Sequence, residues 1–234
     1  WRKKAVFHIS SGKKIADVKV EMPVHGTSID VQTDYVVVQN FRSMLSWNDG
    51  FDTHGRAKGI VFKNCLSTGN CGQGFSSHDH CSATYEDCLA EGCASSGSCD
   101  VNYCMIAYRN CVFSQNTFEA GVYALEATQH IYENCLIVAN GPFEQIWALQ
   151  NSSMTFVNCV IIGQKNNPNP ALRLENGSVT FNQCTFVDVP FLAYMPEKSL
   201  GKIRIMNSII AGTEKPFLKM AAGVKADRVT LSNN

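Results

Sequence analysis

The sequence predicts an all-β fold, a single chain coiled into a parallel β-helix of three sheets and about eight to nine coils. Two observations carry that prediction. First, a signature of aromatic, any residue, Asn or a relative, then Cys recurs every 23 to 25 residues. It reads Phe62-Lys63-Asn64-Cys65, Tyr85-Glu86-Asp87-Cys88, Tyr108-Arg109-Asn110-Cys111, Tyr132-Glu133-Asn134-Cys135, Phe156-Val157-Asn158-Cys159 and Phe181-Asn182-Gln183-Cys184. Weaker copies keep the period at Asn40, Asn207 and Asn233. Self-similarity at such a period means stacked units. Second, each unit holds short runs of Val, Ile, Phe, Tyr and Cys punctuated by Gly, Asn, Asp and Ser, which is strand and turn chemistry. A leucine-rich repeat shares the period, but it needs a leucine scaffold and a helical segment in each unit, and both are missing here.

One unit shows the elements in order: Gly121–Glu126, then His130–Asn134, then Cys135–Val138, three strands to a coil. Coiling sets equivalent strands side by side about 4.8 Å apart, so equivalent residues stack in columns. Asn at the bend tolerates left-handed geometry, and its amide can bond the copy above. Cys after it is a small buried hydrophobe, and the aromatic two places earlier forms a second inward stack.

On this signature the chain resembles the right-handed parallel β-helix proteins of the pectate-lyase-like superfamily, in which an Asn ladder marks the turn between the second and third sheets. The resemblance implies a β-helix over residues 28–234, with residues 1–27 as N-terminal strands or first coils. It assigns Gly50–His54, Gly74–His80, Gly97–Asn102, Gly121–Glu126, Gln145–Gln150 and Ala171–Glu175 to the first sheet.

Twenty basic and twenty acidic residues cancel, which argues against a nucleic-acid partner. No apolar stretch reaches the length of a bilayer span. The chain opens on Trp1 where Met would stand, which reads as a mature or trimmed part of a longer, secreted, periplasmic or surface protein. Oligomeric state is not set by the sequence. Of 11 cysteines, six belong to the signature. Cys71 with Cys93, and Cys81 with Cys104, read as neighbours on adjacent coils, either bridged or packed as thiols. Cys99 has no assigned role.

Histidine is unevenly spread. Asp49-Gly50-Phe51-Asp52-Thr53-His54 and Gln73-Gly74-Phe75-Ser76-Ser77-His78-Asp79-His80 sit one period apart. With Phe51 and Phe75 inward, strand alternation sends Asp52, His54, Ser76, His78 and His80 outward on one face. The next rung adds Asp100 and Asn102. The first rung also resembles the Tyr-Gly-Phe/Leu-Asp-Pro-His motif of mannuronan C-5 epimerases, β-helix enzymes that act on alginate. Gly50, Phe51, Asp52 and His54 match it, while Asp49 replaces the Tyr and Thr53 the Pro. The family uses its Tyr and His in proton transfer at C-5, so the resemblance implies that role for His54 beside Asp52.

The predicted function is therefore a carbohydrate-active protein, a polysaccharide lyase or C-5 epimerase that removes a proton alpha to a uronate carboxylate. Asp52, His54, His78 and His80 form the catalytic set. Asp79, Asp100, Asn102, Arg56, Tyr123 and Trp147 form the substrate-binding set, the last two at equivalent places suited to stacking on pyranose rings. If Tyr123 and Trp147 face inward with Leu125, Leu149, Leu172 and Leu174, they are core residues instead. Charge neutralisation falls to Arg42, Arg56 or Lys58, or to a cation such as calcium at Asp52, Asp79 and Asp100. No metal centre is assigned, although His54, His78, His80 and Asp79 offer mixed N/O ligands. The alternatives are a non-catalytic glycan-binding or structural β-helix of adhesin or tailspike type, in which the His and Asp rungs are hydrogen-bonded surface, and a glycoside hydrolase using paired carboxyls among Asp52, Asp79 and Asp100.

Overall fold

The structure, a computed structural model, describes residues 26–164, 167–190, 192–212 and 218–234. The N-terminal segment that the sequence assigns to first coils lies almost wholly outside the described residues. From Ile29 onward the chain is a right-handed β-helix of three parallel sheets, with nine, nine and eight described strands. The only helical piece among the described residues is a 3₁₀ turn at Ala226–Arg228. No helix among them is long and apolar enough to cross a membrane.

Each coil runs through a short first-sheet strand such as Val122–Ala124, a longer second-sheet strand such as Gln129–Glu133, and a short third-sheet strand such as Leu136–Val138. The period fixes the register: Tyr108 pairs with Tyr132, Tyr132 with Phe156 and Phe156 with Phe181. Their rings stack with centroids 5.0, 4.6 and 4.9 Å apart, all fully buried. Burying aromatics in a continuous stack contributes apolar area and favourable ring geometry together.

Cys65, Cys88, Cys111, Cys135, Cys159 and Cys184 form a buried column beside them. Each thiol stays near a carbonyl, Cys111 Sγ lying 3.3 Å from the oxygen of Arg109 and 3.4 Å from that of Tyr85. At the bend between the second and third sheets Asn64, Asn110, Asn134 and Asn158 have φ of 49 to 55°. Their amides bond along the axis, Asn134 Nδ2 donating to Asn110 at 3.3 Å and Asn158 Nδ2 to Asn134 at 2.9 Å.

Glycines open several first-sheet rungs because the coils touch there. A Cβ at Gly97 would meet the Gly121 carbonyl oxygen at 2.6 Å. The third turn holds a buried polar column in which Asn116 Nδ2 donates to Asn140 at 2.8 Å and Asn140 to Gln145 at 3.0 Å.

That column corrects one cysteine pairing. Cys93 stands in the place of Asn70 and Asn116, not of Cys71: its backbone N–H bonds the Asn116 side chain, and Asn70 Nδ2 reaches its sulfur. Cys71 is exposed and Cys93 buried, so they do not meet. Cys81 and Cys104 do lie thiol to thiol on adjacent coils, and all 11 cysteines are free.

Candidate active site

Strands Phe51–Thr53 and Phe75–Ser77 pair in register, Asp52 opposite Ser76. Phe51, Thr53, Phe75 and Ser77 are fully buried, so alternation turns Asp52, His54, Ser76 and His78 to the outer face. The backbone then places the imidazoles, with the His78 N–H donating to the Thr53 carbonyl at 2.9 Å. The two rings stack with centroids 4.6 Å apart and planes 4° apart.

Asp52 lies beneath them, only 2% exposed. One oxygen accepts from the Thr53 N–H at 2.8 Å; the other is 3.5 Å from His54 Nδ1, and His78 Nε2 is 3.7 Å from the first. Asp30, on the preceding rung, reaches His54 Nδ1 at 3.2 Å, and the Ser76 hydroxyl is 2.9 Å from His78 Nε2. Asp30 was legible in principle, since it stands 22 residues before Asp52, one coil earlier.

This packing drives the histidines apart. Burial pushes the Asp52 carboxyl up, to about 8, against the pull of His54. Burial also lowers His54, but the carboxylates of Asp52, Asp30 and Asp79 outweigh it and its pKa ends above the ordinary 6.5. His78 goes the other way, lowered by burial and by the charge of His54. Neighbouring groups with oppositely displaced pKa values are suited to acid and base roles.

Asp52, His54 and His78 each offer one ligand atom, all within 4.8 Å of one another, and are the described residues best able to hold a metal. Their ring planes are parallel, however, and lone pairs lying in parallel planes do not converge on one ion until a ring turns. The three-carboxylate calcium set is not assembled.

Asp100 is the reason, and its outward placement is corrected. Cys99 pairs with Ser76 and Asp100 with Ser77, so Cys99 takes the outward position and Asp100 points into the core, fully buried. There it accepts from the Tyr108 hydroxyl at 2.8 Å and lies 3.4 Å from His130 Nε2, while His130 Nδ1 is 2.9 Å from the Tyr132 hydroxyl. Burial raises Asp100 to about 7 and lowers His130 to about 3. The hydrolase pairing through Asp100 falls with it.

His80 is also displaced from the cluster. Asp79 and His80 have φ of 62 and 69°, which ends the strand alternation. His80 instead stacks on Tyr103, centroids 4.9 Å apart. Arg56, Asp79, His80 and Asn102 line a groove of about 750 Å³ over the first turn, with Glu126 and Gln150 farther along.

Tyr123 and Trp147 pair on the outer face, 5.1 Å apart and edge to face, both half-buried, while Leu172 and Leu174 fill the core. The indole N–H donates to Glu144 at 2.6 Å, and the Arg173 guanidinium lies 5.7 Å from the ring. Phe143 and Phe118 extend this platform, Phe118 being 66% exposed. Both sit in third-turn loops without strand periodicity, so no sequence pattern marks them.

Coil, register and outward rung define a right-handed β-helix carrying an Asp/His cluster. The chain belongs to the family described as right handed beta helix region, whose model matches residues 49–210. No curated protein matches it. Among solved structures, the catalytic domain of Agl-KA superposes with a TM-score of 0.71 at 11% identity, over 88% of this chain and 44% of that one. The A-module of the Azotobacter vinelandii mannuronan C-5 epimerase AlgE4 gives 0.61 at 15%, over 87% of this chain and 59% of that one. The alginate lyase from Paenibacillus sp. str. FPU-7 gives 0.58 at 12%, over 92% and 77%. At these identities the likeness is one of fold, and the chain spans less than two thirds of the first two.

Proposed function

We propose that this chain is a carbohydrate-active β-helix whose outer first sheet binds a uronate-containing polysaccharide, and that His78 and His54 carry out β-elimination on it. The observation that carries the reading is the stacked pair over buried Asp52, one imidazole held toward its neutral form and the other toward its charged form. The Gly50, Phe51, Asp52 and His54 match to the epimerase motif, and the presence of an alginate lyase, a pectate lyase and a mannuronan epimerase among proteins of this fold, support the substrate class.

In the elimination, neutral His78 takes the proton from C-5 of the uronate. The C–H electron pair forms the C4–C5 double bond, the bond from C4 to the glycosidic oxygen breaks, and that oxygen takes a proton from His54. Asp52 holds His54 in its charged form. Both imidazoles stand on one face of one sheet and meet a bound sugar from the same side. Epimerisation needs the proton removed from one face of C-5 and returned to the other, so the geometry favours the lyase over the epimerase. Tyr123 and Trp147, farther along the sheet, stack on neighbouring rings. A polymer substrate of this kind is met outside the membrane, which goes with a secreted or surface location.

Incubation with a panel of uronic-acid polysaccharides tests the reading. A rise in absorbance of the unsaturated product supports it. Proton exchange at C-5 without that rise would replace the lyase by an epimerase, and neither signal on any polymer would leave a glycan-binding β-helix.

A further inference from the structure

We infer that the groove over the first turn is a second carbohydrate site, one for neutral pyranose rings and separate from the Asp52, His54 and His78 cluster. It does not depend on the acid–base reading of that cluster.

Five consecutive coils make this turn with two left-handed residues each. The φ values are 72 and 66° at Gly55 and Arg56, 62 and 69° at Asp79 and His80, 60 and 66° at Asn102 and Tyr103, 55 and 58° at Glu126 and Ala127, and 50 and 65° at Gln150 and Asn151. Each such residue other than glycine carries a backbone cost of about 1 kcal/mol. Repetition puts these side chains in register along one trough of about 750 Å³. The turn backbone is itself engaged from coil to coil, with the N–H groups of His80, Tyr103 and Ala127 donating to carbonyls of the next coil at 2.9, 3.0 and 2.9 Å. Recognition is left to the side chains.

Their chemistry fits an uncharged sugar. Tyr103 is 59% exposed and is stacked on His80, with planes 7° apart, so one support is rigid and one aromatic face is open to a pyranose ring. Asn102, Gln150 and Asn151 each carry a donor and an acceptor, the pairing that vicinal hydroxyls need. Asp79 and Glu126 put carboxylates in the same trough, and like charge there disfavours a polyuronate. Arg56 is the one cation lining it, at the end nearest His54. A glycan with an acidic main chain and neutral branches would engage the cluster with one and this groove with the other.

The test is calorimetric titration of the intact chain with neutral hexasaccharides of glucan, mannan and galactan type, and with an oligouronate as control. Substitution at Tyr103 keeps the fold readable, because Ala127 already holds the same turn position with a φ of 58°, and melting curves check it. The inference predicts that a neutral hexasaccharide binds, that Tyr103→Ala weakens it about tenfold, and that Tyr103→Phe and His78→Ala leave it unchanged. It is overturned if no neutral saccharide binds, if Tyr103→Ala binds as well as the parent, or if His78→Ala abolishes binding that Tyr103→Ala spares. Neither result bears on whether His78 is a base, which activity on uronates decides.

Discussion

His54 and His78 lie face to face, their rings 4.6 Å apart, because their strands pair with Asp52 directly opposite Ser76. Two imidazoles this close do not both hold a proton, and Asp52 and Asp30 decide which one does. Activity on a uronate polymer should therefore follow a bell-shaped pH profile. The rising limb reports loss of the proton from His78 and lies below the ordinary 6.5; the falling limb reports loss from His54 and lies above it. The two limbs belong to the pair as a whole. Measuring kcat/KM against pH for Asp52→Asn checks this: the falling limb should move to lower pH, since the carboxylate that holds the His54 proton is gone.

Asp100 gives a stability prediction with a defined sign. Burial lifts its pKa to about 7 from 3.8, so the folded state binds this proton more tightly than the unfolded state. The contribution to stability is full below pH 3.8 and is lost as pH rises toward 7. Asparagine keeps an acceptor for the Tyr108 hydroxyl and removes the charge. Asp100→Asn should melt above the parent at pH 8, by at most about 4 kcal/mol, with the difference vanishing near pH 4. His130 is common to both proteins, so its own titration cancels. An equal difference at both pH values would show that the effect is one of packing.

Asn134 tests the bend column. It accepts from Asn158 and donates to Asn110 with a φ of 55°. Asn134→Ala should cost about 2 kcal/mol, from the lost amide bonds and the left-handed backbone. Asn134→Gly should recover about 1 kcal/mol of that, because glycine has no Cβ to strain. Denaturant titration separates the two terms.

Trp147 should matter to binding more than to chemistry, since it stands four rungs from Asp52 along the first sheet. Trp147→Ala should raise KM for long oligouronates about tenfold and leave kcat near that of the parent. Steady-state kinetics on oligomers of increasing length reads this, and the effect should shrink for the shortest of them.

The coil was legible because its register is written in a column that every unit repeats: an aromatic, an Asn and a Cys that must stack on their own copies. The histidine cluster was partly legible for the same reason, since Phe51 and Phe75 fix the inward parity of their strands. Parity failed at Asp100, where no aromatic marks the inward position and Ser98 occupies the place of Phe75. It failed at His80 because two left-handed residues end the alternation before that side chain is reached. Cys93 was misplaced because the buried column it joins is made of asparagines, so its equivalents carry a different residue type. Loops such as those of Phe118 and Phe143 follow no period, and only the coordinates bring them beside Trp147.

The central claim is that His78 is the base, and one measurement addresses it most directly. His78→Ala should be compared with the parent for initial rate of unsaturated-product formation on the polymer that the parent cleaves, with melting temperatures measured in parallel. His78 is partly exposed and its substitution removes no core contact, so the melting temperature should stay within a few degrees of the parent while the rate falls by about 10² to 10⁴. A variant that melts like the parent and still turns over at a comparable rate would contradict the account.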